Sequence, residues 1–323
     1  MSKTVSTVLK VLLSIGLAVA ILYFVFSKID FDEFVKKAEE VNYFWVVLSM
    51  FISLFGYILR AYRWRLQLEP LEYKPTTYRM FLAVMSGYLA NLLIPRLGEV
   101  TRCGVLLKSD KVPVSTSFGT VITERIVDMF MLGLILLFTM LIQSDQLSAF
   151  FDQTLDTNVN GYLILSIGLG VMAIGAWIFF KFIYPSQTKV GEFSRGVIKG
   201  LISLRKVHVS KYIISTLLIW VVYFFMSYIV FFALPETAHL SWEVGFSILV
   251  AGVIAFVIPV QSGFGTFHAL VSTMLVLYSI DKTTGVFFAT LLHSSQLIAV
   301  MIFGLVAGIL SIFVKNNEHT KQN

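Results

Sequence analysis

The sequence predicts an all-α polytopic membrane protein, and three observations predict it. Hydrophobic residues fill 57% of the 323 positions and charged residues only 14%, a balance that cannot close around one water-soluble core without exposing large apolar patches. Long stretches lack Asp, Glu, Lys and Arg altogether: Val11 to Ser27, Val41 to Leu59, Gly161 to Phe180, Tyr212 to Pro235 and Val286 to Val314, while Ile126 to Gln143 contains only Asp128. A bilayer core about 30 Å thick is crossed by roughly 20 apolar residues of helix, so these runs read as about six full spans. The runs are also continuously apolar, rich in Leu, Ile, Val and Phe, without the alternation of a membrane β-barrel.

Taken in order, the first run follows Lys3 and Lys10 as a secretory signal would, but no small-x-small cleavage site precedes Lys28 and further spans follow. It is read as the first membrane helix. Lys and Arg then fall at Arg60 to Arg79, at Lys181 to Lys211 and at Lys315 and Lys321, whereas 144 to 160 and 236 to 243 carry none. Basic loops face the cytoplasm, which places both termini inside and the protein in an inner (plasma) membrane. The net charge of +6 therefore reports topology and does not point to nucleic acid. A lone Cys103 excludes an intramolecular disulfide framework and any multi-thiolate metal site; no metal or cofactor is expected. Residues 1–315 read as one membrane domain and 316–323 as a cytoplasmic tail.

Two stretches break the simple span pattern. Phe81 to Pro95 is uncharged for only 15 residues, about 22 Å of helix, and ends in Ile94-Pro95-Arg96-Leu97-Gly98-Glu99. Val244 to Phe267 is uncharged but interrupted by Ile258-Pro259 and Gly263-Phe264-Gly265. Proline and glycine free backbone groups that must find partners at membrane depth, which happens only against protein or a wet cavity. Both stretches are read as broken or re-entrant helical hairpins. Carrying Pro95 onto Pro259 takes an offset of 164, which also brings 42–60 near 211–233 and 126–143 near 290–307. That offset defines repeats of about 7–143 and 161–314 in opposite orientations; a chance coincidence of two proline-containing helices is the alternative. Interrupted helices at matching positions of inverted repeats mark the substrate sites of many transporters.

The chemistry concentrates at the first break. Arg96, Glu99, Arg102, Glu124, Arg125 and Asp128 lie in one stretch that begins and ends on the basic side. Each charge at membrane depth costs a few kcal/mol or more, so these groups must pair or line a cavity. Glu99 and Arg102 are three apart and Glu124 and Asp128 four apart, so each pair shares a helix face. Arginines beside a helix N-terminus suit a phosphate group, because guanidinium forks and unpaired N–H groups both aim donors at it. The competing expectation is that the arginines are interfacial anchors and Glu99 a helix cap.

The run from Asn91 to Arg102, with Pro95-Arg96 and Gly98-Glu99 inside it, followed by Thr123-Glu124-Arg125-Ile-Val-Asp128, resembles the flippase-type membrane domain of lysylphosphatidylglycerol synthases, the multiple peptide resistance factors. The Pro259 to Gly265 break matches that family's second motif, and the likeness extends over most of the chain. The resemblance implies a lipid-translocating or lipid-handling protein of about eight membrane segments. In it, Arg96, Glu99, Arg102, Glu124, Arg125, Asp128 and His268 would bind the headgroup, with Pro95, Gly98, Pro259, Gly263 and Gly265 as backbone breaks lining its path. The partners implied are membrane lipids, anionic ones above all. Relatives that make aminoacylated lipid carry a separate soluble synthase domain, which is not expected here, so no enzymatic activity is assigned. Two departures stand out: Arg96 follows Pro95 directly, and His268 occupies a position where the family's motif has a carboxylate. An unperturbed histidine changes charge near pH 6.5, although a lone His in an apolar helix is also a common packing residue.

Elsewhere, Val190, Phe193, Val197, Leu201 and Leu204 recur at helical spacing among Lys189, Arg195, Lys199, Arg205 and Lys206, as a basic amphipathic helix on an anionic surface requires. Phe31, Phe34, Val35 and Ala38 make a smaller acidic counterpart. His293, Ser294, Ser295 and Gln296 in the last span either face the cavity or bond across helices, and the second is the stronger expectation. The alternatives to a transporter are a membrane-embedded transferase using Glu99 or Glu124 as base, and a non-transporting partner subunit.

Overall fold

The computed structural model describes residues 16, 19, 22, 23, 25–27, 30–94, 97–154, 188–258 and 260–313. Pro95, Arg96, Pro259 and the expected span at 161–180 lie outside the described residues, and the first expected span is described only at scattered helical positions.

The described chain is helical throughout. The helices are α1 (Phe31–Glu40), α2 (Tyr43–Leu68), α3 (Thr77–Leu93), α4 (Leu97–Asp110), α5 (Val114–Ile142), α6 (Ser144–Thr154), α7 (Lys189–Ile202), α8 (Val209–Tyr228), α9 (Trp242–Val257), α10 (Thr266–Leu277) and α11 (Lys282–Phe313). Polar caps set several starts, as expected where the first N–H groups of a helix lack partners: Asp30 accepts from the Glu33 N–H at 3.1 Å, Thr76 from Arg79 at 3.3 Å and Asp281 from Thr284 at 2.8 Å. Four described helices are long and apolar enough to cross a membrane: α2, α5, α8 with its following 3-10 turn, and α11. α5 starts at Val114, well before the expected Ile126, so Glu124, Arg125 and Asp128 sit in mid-helix. α8 ends at Tyr228, where a 3-10 turn over Ile229–Ala233 continues the expected span.

Both broken stretches fold as antiparallel helical hairpins. In the first, Arg79 at the start of α3 pairs with Asp110 at the end of α4 at 3.1 Å. Near its tip the backbones meet at two glycines, and a Cβ on Gly98 would run into the Gly87 carbonyl oxygen. In the second, α9 and α10 are tied by a Ser247–Tyr278 hydroxyl contact of 2.8 Å at the base and by Thr266 donating to the Ala255 carbonyl at 3.1 Å near the tip. The turn between them uses positive φ at Gly263 (73°) and Gly265 (82°), the conformation glycine adopts without a Cβ penalty.

The hairpins approach from opposite ends of α5. The base of the first adjoins the start of α5 at Val114, and Tyr278 at the base of the second donates to Gln143, which caps its end, at 3.3 Å. Their tips touch: Gln261 Nε2 donates to the carbonyls of Leu92 at 3.0 Å and Asn91 at 3.4 Å, satisfying oxygens that the end of α3 leaves unpaired. Lipid offers no hydrophobic drive between helices, so close packing and polar cross-links hold such bundles. Ser49 on α2 donates to Met226 on α8 at 2.6 Å and receives Gln296 of α11 at 3.1 Å. The largest apolar cluster packs Phe231, Phe288, Val271 and Met274 around the second hairpin.

Candidate functional site

Helix α2 supplies one side of the site. Arg60, Arg63, Trp64 and Gln67 follow the i, i+3, i+4, i+7 spacing that puts side chains on one helix face. Although α2 runs straight on from the uncharged stretch at 41–59, this face turns into protein, and the Arg63 side chain is 0% exposed. Opposite it, α5 presents Glu124 and Asp128 one turn apart.

Four arginines and three carboxylates meet there. Asp128 pairs with Arg60 at 3.0 Å and Arg63 at 2.8 Å. Glu124, 1% exposed, pairs with Arg102 of α4 at 2.8 Å and with Arg63 at 3.7 Å. Arg125 bridges to Glu99 at 2.7 Å on the outer, half-exposed side. Aromatic faces carry the guanidinium planes: Trp64 lies 4.6 Å under Arg102, Tyr223 is 5.4 Å from Arg60, and Tyr212 is 5.8 Å from Arg63. Such stacking favours a desolvated cation. Tyr223 also accepts from Arg60 Nε, and Gln67 donates to the Tyr212 hydroxyl at 2.6 Å.

The network is charged but under-bonded. Nε of Arg63 has no hydrogen-bond partner despite burial, and Glu124 relies on its ion pairs with Arg102 at 2.8 Å and Arg63 at 3.7 Å. Most buried polar groups in native proteins are hydrogen-bonded, and exceptions call for an explanation. Four cations against three anions also leave one positive charge in excess. Beside the network lies a narrow cleft lined by Arg60, Gly87, Tyr88, Asn91, Glu99, Arg102 and Arg125 among others, with about 10 Å³ of free space, the room of one water. Its walls are α2, the first hairpin and α5. Asn91 closes its floor by accepting the Gly98 N–H at 2.6 Å.

Of the residues expected from sequence, Glu99, Arg102, Glu124, Arg125 and Asp128 come together, and Gly98 packs beneath them. His268 does not join them. It lies with His293, ring centroids 5.3 Å apart, among Phe26, Phe256, Phe264 and Phe267. Gln296 reaches Ser49 across helices as expected, His293 bonds through Nε2 to the Ser262 carbonyl in the second hairpin's turn at 3.0 Å, and Ser295 instead bonds within its own helix to Leu292. Gly263 and Gly265 shape the second tip and do not touch the arginines. Arg60 and Arg63 were read only as cytoplasmic anchors; their spacing with Gln67 on the helix continuing an uncharged run was the available signal. Among the described residues no group of three or more His, Cys, Asp or Glu converges as a metal site.

A helical membrane chain whose two hairpins meet tip to tip beside a buried arginine–carboxylate network defines a polytopic membrane protein with an enclosed polar centre. The comparisons narrow that class. The chain belongs to the family of the lysylphosphatidylglycerol synthase TM region, whose family model matches residues 9–304. It is also 26% identical over 107 residues to a UPF0104 membrane protein of Methanocaldococcus jannaschii, a match spanning 32% of each chain. No solved structure matches.

Proposed function

We propose that this protein is a flippase-like carrier that takes an anionic lipid headgroup, a phospholipid or lipid-linked phosphate, at the arginine–carboxylate network. The observation that carries the reading is the surplus positive charge of four arginines over three carboxylates beside a cleft that three of those arginines line. A phosphate entering the cleft meets Arg60, Arg102 and Arg125 on its walls and competes with Glu99 and Glu124 for guanidinium groups that already lie in a desolvated setting. Charge-assisted bonds to phosphate are strong there, and carboxylates that let go of one arginine keep another. The cleft with room for one water is then the occluded form, and opening requires the ion pairs to exchange partners.

The two hairpins entering from opposite ends of α5 support a pair of inverted repeats, with the site at the break of the first. In that arrangement alternating access is a rocking of one half against the other. The charge distribution supports an inner-membrane location in which the basic segments face the cytoplasm.

Binding to the purified protein tests the reading. Native mass spectrometry with phosphatidylglycerol and phosphatidylcholine is expected to show preferential retention of the anionic lipid. Arg60→Gln or Arg125→Gln is expected to weaken that retention about tenfold to a hundredfold, the loss of one charge-assisted contact of roughly 1.5–3 kcal/mol. Equal retention of the two lipids by the wild type contradicts the assignment.

A further inference from the structure

Helix α7 and the 3-10 turn Ser203–Lys206 form a surface that the ion-pair network does not use. Val190, Phe193 and Ile202 are 63%, 45% and 47% exposed. Lys199, Arg205 and Lys206 are exposed in the same segment, and Glu192 is its one acid. Water would leave the apolar side chains wet and hydrocarbon would strip the cations; a bilayer interface accepts both at once.

The segment packs closely against α5 and α2. Gly196 and Gly200 approach α5 so closely that a Cβ on either would strike Ser115 or the Thr116 carbonyl, and a Cβ on Gly119 would strike Val197. Leu204 and Val207 pack with Leu66 and Tyr212. These contacts end one layer from the site: Thr120 on the same stretch of α5 accepts the Trp64 indole at 2.8 Å, Trp64 underlies Arg102, and Tyr212 lies beneath Arg63.

We propose that α7 and its turn are a docking surface for the anionic headgroups of the bilayer, and that this surface gathers anionic lipid beside the arginine–carboxylate site. The docking stands on the segment's own chemistry, and the gathering rests on the lipid-carrier reading. A cation held near an anionic surface attracts its lipids by an electrostatic interaction that salt screens.

The test uses full-length protein with Phe193→Cys in a Cys103→Ser background, labelled with a fluorophore and placed in mixed bilayers. Quenching by brominated phosphatidylglycerol is compared with quenching by brominated phosphatidylcholine. The anionic lipid is expected to quench more strongly at low salt, with a preference that shrinks as salt rises and falls roughly fivefold per cation removed in Lys199→Gln, Arg205→Gln and Lys206→Gln combined. Equal quenching by the two lipids in the parent protein, or a preference unchanged in the triple variant, overturns the docking surface. Leaflet exchange in the same vesicles separates the two claims. Exchange at the parental rate after the lipid preference is lost overturns the gathering role, whereas an intact preference with no exchange by the parent protein counts against the carrier reading alone.

Discussion

Arg63 shows how a charge is kept inside a membrane protein. It has no exposed side-chain surface, two carboxylates within 3.7 Å and the Tyr212 ring beneath it. Removing one member of such a group strands the others, which typically costs 3–5 kcal/mol, about what breaking a buried ion pair costs elsewhere. Arg63→Ala is therefore expected to lower the melting temperature of the purified protein or abolish its accumulation, whereas Arg125→Ala, whose side chain is 49% exposed, should cost about 1 kcal/mol or less. Similar melting temperatures for the two variants would contradict the burial assigned here. At this scale the sequence was partly legible. Glu99, Arg102, Glu124 and Asp128 stand out because each interrupts or borders an apolar run. Arg60 and Arg63 do not, because a cation near the end of a span has the same sequence signature whether it faces headgroups or a neighbouring helix. His268 was legible as unusual, but its partner His293, 25 positions away, was not.

At the scale of elements, the hairpins were legible from proline, glycine and insufficient length, and the contact between their tips was not. Gln261 carries no signal that it will cap the carbonyls of Asn91 and Leu92, since that depends on where two distant segments dock. The start of α5 was placed too late for a related reason: Val114 to Thr123 is polar enough to read as loop, yet its small residues are the ones α7 packs against. Close backbone approach makes Gly98→Val a sharp probe. The added side chain meets the Gly87 carbonyl and Asn91, and overpacking of this kind costs about 1–3 kcal/mol or more. The expected result is a lower melting temperature and faster proteolysis between α3 and α4; unchanged values would mean that the hairpin is looser than described.

The opposite end of the molecule titrates. Burial pushes the Asp281 carboxyl up, but bonds from the Thr284 hydroxyl and the backbone N–H groups of Thr284 and Thr283, with the charge of Lys37, outweigh it and hold the group below its ordinary value. Its contribution to stability is therefore complete above the ordinary carboxylate range and is lost as pH falls through the folded value. Lys37 is the reverse case. Burial disfavours its charge, the Glu236 bond at 2.5 Å and Glu33 overcome this, and the ammonium is held above its usual 10.5. Its contribution is full below that value and fades as pH climbs through the raised one. Asp281→Asn is expected to flatten chiefly the acid side of a melting-temperature profile and Lys37→Met chiefly the alkaline side, each with a smaller change on the other side because the two charges support one another.

Across the whole molecule, the offset of 164 read from two prolines recurs in the element boundaries. It carries Thr77–Leu93 nearly onto Trp242–Val257 and Tyr43–Leu68 close to Val209–Tyr228 with its turn, whereas Phe31–Glu40 only partly overlaps Lys189–Ile202. The order of elements was legible because apolar runs and helix breakers mark where each helix starts and stops. The polar centre was legible only in half, because its other half comes from α2 and α8 by tertiary packing. Leaflet exchange in reconstituted vesicles, read with headgroup-labelled phosphatidylglycerol and phosphatidylcholine, is the deciding measurement for the wild type and for Arg102→Gln/Glu124→Gln, which removes a buried pair together and leaves Arg63 its nearer partner Asp128 at 2.8 Å. The wild type is expected to speed exchange of the anionic lipid over the zwitterionic one, and the folded double variant to lose that acceleration. A stable double variant that exchanges the anionic lipid at the wild-type rate would contradict the carrier reading.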